Sequence, residues 1–186
     1  MEQKFVLAVV GLPGAGKTEA VNYILQKTGL PKVYLGDVTL DALRAKGLPF
    51  TQENERPVRE EIRARHGMGA YALLSLPKIR QFYETSSVII ESMYSWEEYL
   101  IFRQEFGNNF KVLAIYASPA TRTQRMAVRP ERPLTEEELI ARDFAQIEKL
   151  NQAGPIARAD WTIINEGSSE DLHSEIDNIL EKCKNY

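Results

Sequence analysis

One short segment near the amino terminus constrains the fold of this chain more than any other feature. It runs Gly11-Leu12-Pro13-Gly14-Ala15-Gly16-Lys17-Thr18 and fits the pattern G-x-x-x-x-G-K-[ST] in full. The segment directly follows the apolar run from Phe5 to Val10 and opens the helical pattern from Lys17 to Thr28. Glycines let backbone amides curl around a phosphate without Cβ clashes, and the positive end of the helix adds to the attraction. The sequence therefore predicts a strand, a phosphate-binding loop and a helix in succession.

Each part of this loop has a predicted role in binding ATP and Mg²⁺. Lys17 would reach the β and γ phosphates, and the hydroxyl of Thr18 would bind Mg²⁺. The residues that would cradle the phosphates are Gly11, Gly14, Ala15, Gly16 and Lys17. The same motif occurs in kinases, GTPases and motor ATPases. A GTPase would usually carry the guanine motif N-K-x-D, which this sequence lacks, and a motor ATPase would normally be longer. The short chain therefore favours a small-molecule kinase.

Short apolar runs alternate with helical stretches along the chain. Near-continuous runs are typical of strands buried on both faces, and their alternation with helices predicts a parallel sheet covered on both sides. The predicted strands are Phe5 to Val10, Val33 to Leu35, Val88 to Ile90 leading into Glu91, Val112 to Tyr116, and Trp161 to Ile164. The last helix carries an apolar stripe that ends in Cys183, with Ser168 or Ser169 as its N-cap.

Two insertions interrupt this alternation. No repeat or linker divides the sequence, so residues 1–186 are predicted to form one domain. The first insertion is a helix-rich stretch over residues 38–83, and the second is an Arg- and Pro-rich stretch over residues 127–135. Both follow predicted strands, so both should lie at the carboxyl edge of the sheet, where ligands bind in such folds. We expect the first to hold the acceptor and the second to act as a lid over the triphosphate.

Composition excludes several other classes of function. The sequence has 23 basic and 26 acidic residues, a net charge of −3, which argues against a mainly electrostatic nucleic-acid binder. The longest apolar run is far shorter than the roughly 20 residues that a membrane span needs. With one cysteine and two separated histidines, neither a disulfide nor a histidine metal cluster is expected. We expect a cytoplasmic monomer or homodimer with a small-molecule partner, and neither nucleic acid nor membrane.

Two acidic residues follow strands at the predicted ligand edge. Glu91 ends the third apolar run, where it would orient Mg²⁺ or its water ligands, or would simply be solvated. Asp37 follows Gly36 after the second strand and could be the N-cap of the next helix. Alternatively, Asp37 faces the acceptor and takes the proton of an acceptor hydroxyl. An acceptor phosphate needs no base, and Asp37 would then only position other groups.

Arginines concentrate in two parts of the chain. The first group flanks the predicted lid and comprises Arg122, Arg125, Arg129, Arg132 and Arg142. Arginine binds phosphate through its planar fork, so this group suits closure over a triphosphate, the alternative being a solvated helix face balanced by residues 136–138. The second group comprises Arg56, Arg59 and Arg63 on one helix face, with Arg44 and Arg65 nearby. It would bind an anionic acceptor, or would pair at the surface with glutamates such as Glu55 and Glu60.

Aromatic residues offer weaker indications of an acceptor site. Tyr71, Tyr94 and Trp96 could pack against the base of an acceptor, although packing in the core or at the surface is the simpler interpretation for each. Trp161 is predicted to pack between sheet and helix, and Cys183 to lie in the core stripe of the last helix.

Together these segments resemble the P-loop nucleotide kinases, in particular the adenylate kinase-related and dephospho-CoA kinase-like branch. The resemblance runs nearly end to end along the chain. It begins with Val10 to Glu19, Leu35 to Val38, and His66 to Ala70. It continues with Ala117 to Arg122 and the Arg125/Arg129 pair at the lid entry, Arg142-Asp143 at the lid exit, and Ile164 to Ser168 in the last loop.

The resemblance implies roles for residues around the nucleotide. Arg125 would lie against the adenine of ATP, which the loop from Asn165 to Gly167 would border. Arg129 and Arg142 would contact the transferred phosphoryl group. The fold implied is a three-layer α/β/α P-loop fold whose parallel sheet has five strands in the order 2-3-1-4-5.

The chain departs from the family pattern on the acceptor side. The family's Asp-Gly followed shortly by Arg is replaced by Glu91-Ser92-Met93-Tyr94. Leu40 stands where an acceptor-binding Arg is expected, with Arg44 one helical turn later. The acceptor ligands predicted for this chain are Asp37, Arg44, Arg63 and Tyr94. These changes favour a different acceptor or a loss of turnover.

The sequence as a whole predicts an enzyme that transfers a phosphoryl group from ATP, with Mg²⁺, to a nucleotide-like small molecule. AMP, another nucleoside monophosphate and dephospho-CoA are the acceptors considered. The predicted catalytic residues are Lys17, Arg129, Arg142 and Asp37. Two alternatives remain open at this point, namely a nucleotide-binding protein without kinase activity and a small ATPase.

Overall fold

A parallel β-sheet lies at the centre of the computed structural model, which describes residues 3–130 and 132–184, the last of these by its backbone only. The strands are β1 (Val6–Val10), β2 (Lys32–Tyr34), β3 (Val88–Glu91), β4 (Phe110–Tyr116) and β5 (Trp161–Ile164). They form one five-stranded sheet in the order β2-β3-β1-β4-β5, which confirms the predicted fold class. Glu131 of the predicted lid, 127–135, and the terminal residues of the predicted domain, 1–186, lie outside the described residues.

Helices connect the strands and cover both faces of the sheet. They are α1 (Lys17–Thr28), α2 (Asp37–Ala45), α3 (Gln52–His66), α4 (Ala70–Tyr83), α5 (Trp96–Phe106), α6 (Pro119–Ala127), α7 (Glu136–Phe144), α8 (Ala153–Ala157) and α9 (Ser169–Lys184). A π-helical turn over Ala145–Lys149 continues α7. α1 has the predicted bounds, and α9 follows Ser168, whose hydroxyl accepts a hydrogen bond from the Asp171 amide at 3.2 Å. None of the described helices is long and apolar enough to cross a membrane.

The two faces of each strand feed two hydrophobic cores, because side chains alternate along a strand. On one face, Val6, Ala8 and Val10 of β1 pack with side chains of α4 and α5. On the other face, Leu7 and Val9 pack with α1 and α9. Cys183 and Trp161 contribute to this second core, as the sequence predicted.

The predicted first insertion, residues 38–83, contributes to the body of the fold as well as to its edge. α4 packs its buried residues, among them Leu76 and Ile79, into the core beneath β3. α3 is more exposed, and Val58 is its buried residue. The second insertion connects α6 to α7.

The strand register decides which residues meet at the carboxyl edge of the sheet. Val9 of β1 lies opposite Glu91 of β3, and Glu91 in turn lies opposite Tyr34 of β2. β1 runs directly into Gly11, so the end of β3 lies beside the glycine-rich loop and the end of β2 lies one strand further along the same edge. The edge where the sequence predicts ligand binding therefore brings together the loop, Glu91 and Tyr34.

Candidate functional site

The glycine-rich loop between β1 and α1 has a conformation that two of its glycines require. Gly11 and Gly16 have φ of 146° and 104°, values that side chains rarely allow. A Cβ at Gly11 would overlap the Ile115 carbonyl oxygen, and one at Gly16 would overlap the Asn165 side-chain nitrogen. Gly16 is also the N-cap of α1, and as a glycine it has no side chain that could cap the first amides of the helix. The amides at the start of α1 are therefore left for a ligand.

Side chains from distant parts of the chain hold three carbonyl groups of this loop. Gln152 Nε2 donates to the Gly11 carbonyl at 3.1 Å, and Asn165 Nδ2 donates to the Ala15 carbonyl at 2.9 Å. Arg122 Nη1 donates to the Pro13 carbonyl at 3.2 Å. In a trans peptide the C=O and the N–H of the following residue point in opposite directions. Side chains that hold these three carbonyls therefore turn the N–H groups of the following residues away from themselves. The loop is thus braced in a shape that presents amides to an anion.

Lys17 lies partly buried in a strongly positive environment. Its Nζ donates to the Leu12 carbonyl at 3.0 Å. Its pKa is lowered to about 8, first by burial and then by nearby guanidinium groups. These belong to Arg142, Arg122 and Arg129 in order of effect, and the charge of Glu91 acts in the opposite direction. Several cations therefore converge on one point beside the loop, which favours binding of a polyanion.

A cavity of about 880 Å³ opens beside the loop at the carboxyl edge of the sheet. One wall consists of the loop, the start of α1 and the lid region, with Lys17, Thr18, Arg125, Arg129, Arg132 and Arg142. The other wall consists of residues from β2, β3 and the start of α2, with Lys32, Tyr34, Asp37, Glu91, Ser92 and Tyr94. Of the predicted residues outside the loop, the structure thus brings to one cavity Asp37, Glu91, Tyr94, Arg125, Arg129, Arg132 and Arg142.

Arg125 connects the lid to the last loop of the chain. Its Nη1 donates to the Asn165 backbone carbonyl at 3.0 Å. Asn165 is buried, and its side chain donates to the Ala15 carbonyl of the glycine-rich loop, whereas Gly167 is exposed. Arg125 and the loop from Asn165 to Gly167 are therefore neighbours, as the predicted contacts to an adenine require.

Arg122 differs from the other members of the predicted lid group. It is 4% exposed and does not line the cavity. Its guanidinium forms an ion pair with Asp143 at 2.7 Å and donates to the Ala117 carbonyl at 3.2 Å. The prediction that Arg122 belongs to the triphosphate-binding face is therefore corrected. This side chain joins α6, α7 and the glycine-rich loop inside the protein.

Arg44 and Arg63, predicted as acceptor ligands, do not line the cavity either. Arg44 pairs with Asp41 one turn earlier on α2, at 2.6 Å. The Arg63 guanidinium lies over the Tyr71 ring, 5.0 Å from its centroid. Helical spacing predicts which residues share a face of a helix, but not what that face contacts. Here the Asp41 carboxylate and the Tyr71 ring hold the two guanidinium groups outside the cavity. The same holds for Arg59, which pairs with Glu55 at 2.9 Å.

The two predicted carboxylates are both paired with lysines that sequence reasoning missed. Asp37 Oδ2 accepts a hydrogen bond from Lys78 Nζ at 3.2 Å, and Glu91 Oε2 accepts one from Lys32 Nζ at 2.7 Å. Asp37 is the first residue of α2, and Gly36 occupies the N-cap position. The interpretation of Asp37 as the helix N-cap was therefore wrong. Because the lysines come from other elements, no local spacing could have identified them.

Tyr94 is the aromatic residue of the predicted three that reaches the cavity. Tyr71 is buried, and its hydroxyl lies 2.7 Å from the Thr39 hydroxyl. Trp96 stacks on Tyr99 with ring centroids 4.8 Å apart. Core packing, the simpler interpretation, therefore describes Tyr71 and Trp96.

A buried glutamate fixes the segment that carries Tyr94. Glu98 is 1% exposed, and its Oε2 accepts hydrogen bonds from the Tyr94 and Ser95 amides at 2.7 and 3.0 Å. The Ser95 hydroxyl accepts from the Glu98 amide in return, which completes a capping box at the start of α5. Burial raises the pKa of Glu98 to about 7, although these two amides act in the opposite direction.

We expect Glu98→Gln to stabilise the protein at about pH 8, by about 2 kcal/mol in the free energy of unfolding. The pKa of Glu98 rises from 4.5 to about 7 on folding, so its stabilising contribution is complete below 4.5 and is lost as the pH rises through 7. Glutamine keeps the acceptor oxygen and does not ionise. Urea unfolding from about pH 4 to pH 8 measures the difference, which should be smallest at the acidic end.

The control for this prediction is Glu105→Gln on the same helix. Glu105 is ion-paired with Arg80 at 2.6 Å, and the hydrogen bond from Arg80 lowers its pKa, so its replacement should not stabilise the protein at any pH. A constant difference between wild type and Glu98→Gln across the pH range would contradict the account of Glu98.

Ser92, between Glu91 and Tyr94, has the left-handed φ of 67°. This conformation is costly for a residue with a Cβ and not for glycine. We expect Ser92→Gly to raise the free energy of unfolding by about 0.5–1 kcal/mol, measured by urea unfolding. Ser95→Gly is the matched control, because it removes the N-cap of α5 from a residue with φ of −91° and should lower stability. Destabilisation by Ser92→Gly would show that the serine hydroxyl matters more than the backbone.

Gln146 is a cavity residue that sequence reasoning missed. It is 8% exposed, lines the cavity, and its Oε1 has no hydrogen-bond partner within the described structure. It lies in the π-helical turn after α7, a feature often found at functional sites. Its position four residues after Arg142 was the available signal, because residues at that spacing share a helix face. A ligand hydroxyl or amide would satisfy this oxygen.

The sheet, the braced loop and the cation-lined cavity define a P-loop nucleotide-binding protein with a kinase-like fold. The chain belongs to the AAA domain family, whose model matches residues 7–145. It is similar to proteins called UPF0200. The one from Thermococcus sibiricus is 32% identical over 181 residues, covering 95% of this chain and 94% of the relative. The one from Pyrococcus furiosus is 35% identical over 182 residues, covering 94% and 95%.

Solved structures similar to this chain share its fold at low sequence identity. The crystal structure of TT1252 from Thermus thermophilus matches with a TM-score of 0.65 and 20% identity, over 97% of this chain and 98% of that one. A shikimate kinase from Bacteroides thetaiotaomicron has a TM-score of 0.59 and 16% identity, with 95% and 98% covered. A gluconokinase from Sinorhizobium meliloti has the same TM-score at 12% identity, with 98% and 97% covered. These likenesses establish a fold that kinases use.

Proposed function

We propose that this protein transfers the γ-phosphoryl group of ATP, with Mg²⁺, to a nucleotide-like small molecule. One observation carries the proposal, namely that a single cavity joins the glycine-rich loop and four arginines to a second wall with two carboxylates. Phosphoryl transfer needs positioning and charge neutralisation more than covalent chemistry, and this cavity offers both. The kinase-like fold supports the proposal.

In this proposal the donor lies on the loop and lid wall. Lys17 contacts the β and γ phosphates, and Arg129 and Arg142 neutralise the transferred group. Arg125, next to the loop from Asn165 to Gly167, lies against the adenine. These roles follow the resemblance to adenylate kinase-related and dephospho-CoA kinase-like proteins, and the placement of the residues is consistent with them.

The residues at the cavity fit a magnesium ion bound with the nucleotide. Thr18 and Glu91 both line the cavity and offer oxygen ligands, which Mg²⁺ prefers. Within the described residues, no group of three or more His, Cys, Asp or Glu could hold a metal by itself. Mg²⁺ commonly takes one or two protein ligands and completes its shell with phosphate and water. When bound, the ion would neutralise charge on the β and γ oxygens.

A mass-spectrometric transfer assay tests the proposal. The protein is incubated with Mg·ATP and a panel that holds nucleoside monophosphates, dephospho-CoA and nucleosides, with Lys17→Ala as the control. We expect one acceptor class to gain a phosphate, and the control to form no product. ATP binding without any transfer would instead support a nucleotide-binding protein without kinase activity.

A small ATPase is the second candidate, and the match to the AAA domain family favours it. It predicts ATP hydrolysis that does not depend on any acceptor. Measuring ADP formation with and without each acceptor separates the two, because a kinase forms ADP faster when its acceptor is present. The small-molecule partner, the oligomeric state and the cytoplasmic location stay predictions from the sequence.

A further inference from the structure

The two walls of the cavity carry different charge. Apart from Glu19, the charged residues on the loop and lid wall are Lys17 and four arginines. The charged residues on the wall formed by β2, β3 and the start of α2 are Lys32, Asp37 and Glu91. We call this second wall the acceptor wall. The first wall suits a triphosphate, whereas the acceptor wall is neutral to acidic.

The lysines near the acceptor wall already have acidic partners. Lys32 pairs with Glu91 at 2.7 Å, and Lys78 pairs with Asp37 at 3.2 Å. Each pair is neutral as a unit. If Glu91 turned to Mg²⁺, the release of Lys32 would supply one positive charge. A phosphate monoester carries about −1.5 to −2 at neutral pH, so a single lysine would not neutralise it.

The arginines of α2 and α3 do not supply the missing charge. Arg44 pairs with Asp41 at 2.6 Å, Arg59 pairs with Glu55 at 2.9 Å, and Arg63 lies over the Tyr71 ring. None of the five arginines of these two helices, Arg56 and Arg65 included, lines the cavity. Arg132 of the other wall comes near this side, but its guanidinium lies 3.7 Å from Glu55, the partner of Arg59. A second phosphate beside the γ-phosphate of ATP would therefore meet no unpaired arginine on the acceptor wall, and close like charges are strongly unfavourable. The acceptor wall therefore disfavours a phosphorylated acceptor.

Two tyrosines give the acceptor wall a flat apolar component. Tyr34 ends β2, and its ring lies so close to Gly36 that a Cβ there would overlap it. Tyr94 lines the same wall after β3. Phenol rings pack against flat heterocycles and carry a hydroxyl for hydrogen bonding. Two phenol rings on a wall without an unpaired arginine suit the base of a nucleoside that carries no phosphate.

We propose that the acceptor is an uncharged nucleoside and that one of its hydroxyl groups receives the phosphoryl group. The inference rests on the phosphoryl transfer proposed above and names its acceptor. The hydroxyl oxygen forms a bond to the γ-phosphorus of ATP while the bond from that phosphorus to the β–γ bridging oxygen breaks. ADP leaves, and the hydroxyl proton passes to the Asp37 carboxylate. Glu91 lies opposite Val9 beside the loop, which leaves Asp37 as the carboxylate for the acceptor.

Matched pairs of acceptors test this inference. Each nucleoside is compared with its own 5′-monophosphate in the presence of Mg·ATP, and both carry an isotope-labelled base so that products differ in mass from the ADP of the donor. We expect the nucleoside to gain a phosphate with a kcat/KM roughly a hundredfold above that of the monophosphate. Transfer to a monophosphate or to dephospho-CoA, but not to the nucleoside, would overturn the inference and leave the proposed function standing.

A substitution at Asp37 tests the proton transfer. Asp37→Asn keeps the shape of the side chain but removes the base, so kcat for the nucleoside should fall by about 10²–10⁴ while KM changes little. The control is Asp41→Asn on the same helix, whose carboxylate pairs with Arg44 outside the cavity and whose kcat should match wild type. Thermal unfolding of both variants checks that they are folded. An unchanged kcat in Asp37→Asn would show that Asp37 is not the base.

A binding measurement tests the acceptor preference even if no acceptor is phosphorylated. Absence of transfer to every acceptor, with ATP bound, would defeat the proposed function itself. The acceptor preference is then measured by calorimetry on protein saturated with Mg²⁺ and a non-hydrolysable ATP analogue. Tighter binding of adenosine than of AMP would support the preference of the acceptor wall for an uncharged nucleoside, although not the transfer step. Tighter binding of AMP, or no binding of adenosine, would overturn it.

Discussion

Lys17→Ala is expected to lower phosphoryl transfer by about a thousandfold or more while the protein stays folded. Lys17 directly follows the loop, and burial together with three nearby arginines lowers its pKa to about 8. A bound triphosphate would neutralise the charges of Lys17 and these arginines. The Lys17 ammonium group would then stabilise the negative charge on the γ-phosphate during transfer. Alanine keeps the helix propensity and the loop glycines, so nucleotide binding should weaken without loss of the fold. The transfer assay with the preferred acceptor measures this effect.

The same substitution should stabilise the protein in the absence of nucleotide. The pKa of Lys17 falls from 10.5 to about 8 on folding, so the unfolded chain binds the proton more tightly. The cost to stability is therefore complete below 8 and is relieved as the pH rises toward 10.5. Near neutral pH the gain from Lys17→Ala could reach about 3 kcal/mol, less the lost hydrogen bond to the Leu12 carbonyl. Urea unfolding at about pH 7 and about pH 10 should show the gain shrinking.

Lys27→Ala is the control for both effects. Lys27 lies on the same helix at the surface, where its pairing with Asp177 raises its pKa, so its removal should neither stop transfer nor stabilise the protein. Transfer by Lys17→Ala near the wild-type rate would contradict the proposed mechanism. A stability change that is equal at both pH values would contradict the electrostatic origin of the cost.

The parts of the fold that depend on local sequence could be predicted closely. The loop motif fixes the end of β1 and the start of α1, and α1 ends at Gly29 in the left-handed conformation that glycine allows. Apolar runs gave the strands to within two residues, and the largest error was at the start of β4. Parallel pairing follows from the helices between successive strands. The strand order 2-3-1-4-5 was what the resemblance to P-loop nucleotide kinases implied, and the structure confirms it.

Site residues could be predicted from the sequence where they directly follow the end of a strand. They could not be predicted on helices, where the rotation of the helix about its axis decides whether a side chain faces the cavity. Glu91 and Asp37 reach the cavity because the carboxyl ends of parallel strands share one edge. Arg44 and Arg63 do not, since helical spacing shows which residues share a face but not what that face meets. Their actual partners, Asp41 and the Tyr71 ring, are set by short-range charge and by tertiary packing.

Arg122 and Arg125 illustrate the same limit within one helix. They are three residues apart on α6, and both belong to the group predicted to face a triphosphate. The structure buries Arg122 against Asp143 and leaves Arg125 at the cavity. A carboxylate that arrives from α7 decides the difference, and sequence spacing contains no information about it.

Arg122→Met should cost about 3–5 kcal/mol of unfolding free energy, a large fraction of a typical domain's stability. The substitution leaves the Asp143 carboxylate without its buried partner and leaves the Ala117 and Pro13 carbonyls without a donor. A buried charge that loses its partner is far more costly than an exposed one. For a chain of this size the melting temperature should fall by roughly 10 °C. Arg125→Met is the control, and its melting temperature should change much less because its side chain faces the cavity.

The double variant Arg122→Met/Asp143→Leu separates the stability of the fold from the shape of the loop. With the carboxylate replaced by an apolar group, no charge is left unpaired, and most of the lost stability should return. The Pro13 carbonyl still lacks its donor, so the Gly14 amide is no longer aimed at a phosphate, and ATP affinity should stay below wild type. Recovery of both properties in the double variant would show that Arg122 acts on nucleotide binding through stability alone. Recovery of stability without affinity would assign to this buried arginine the positioning of the phosphate-binding loop.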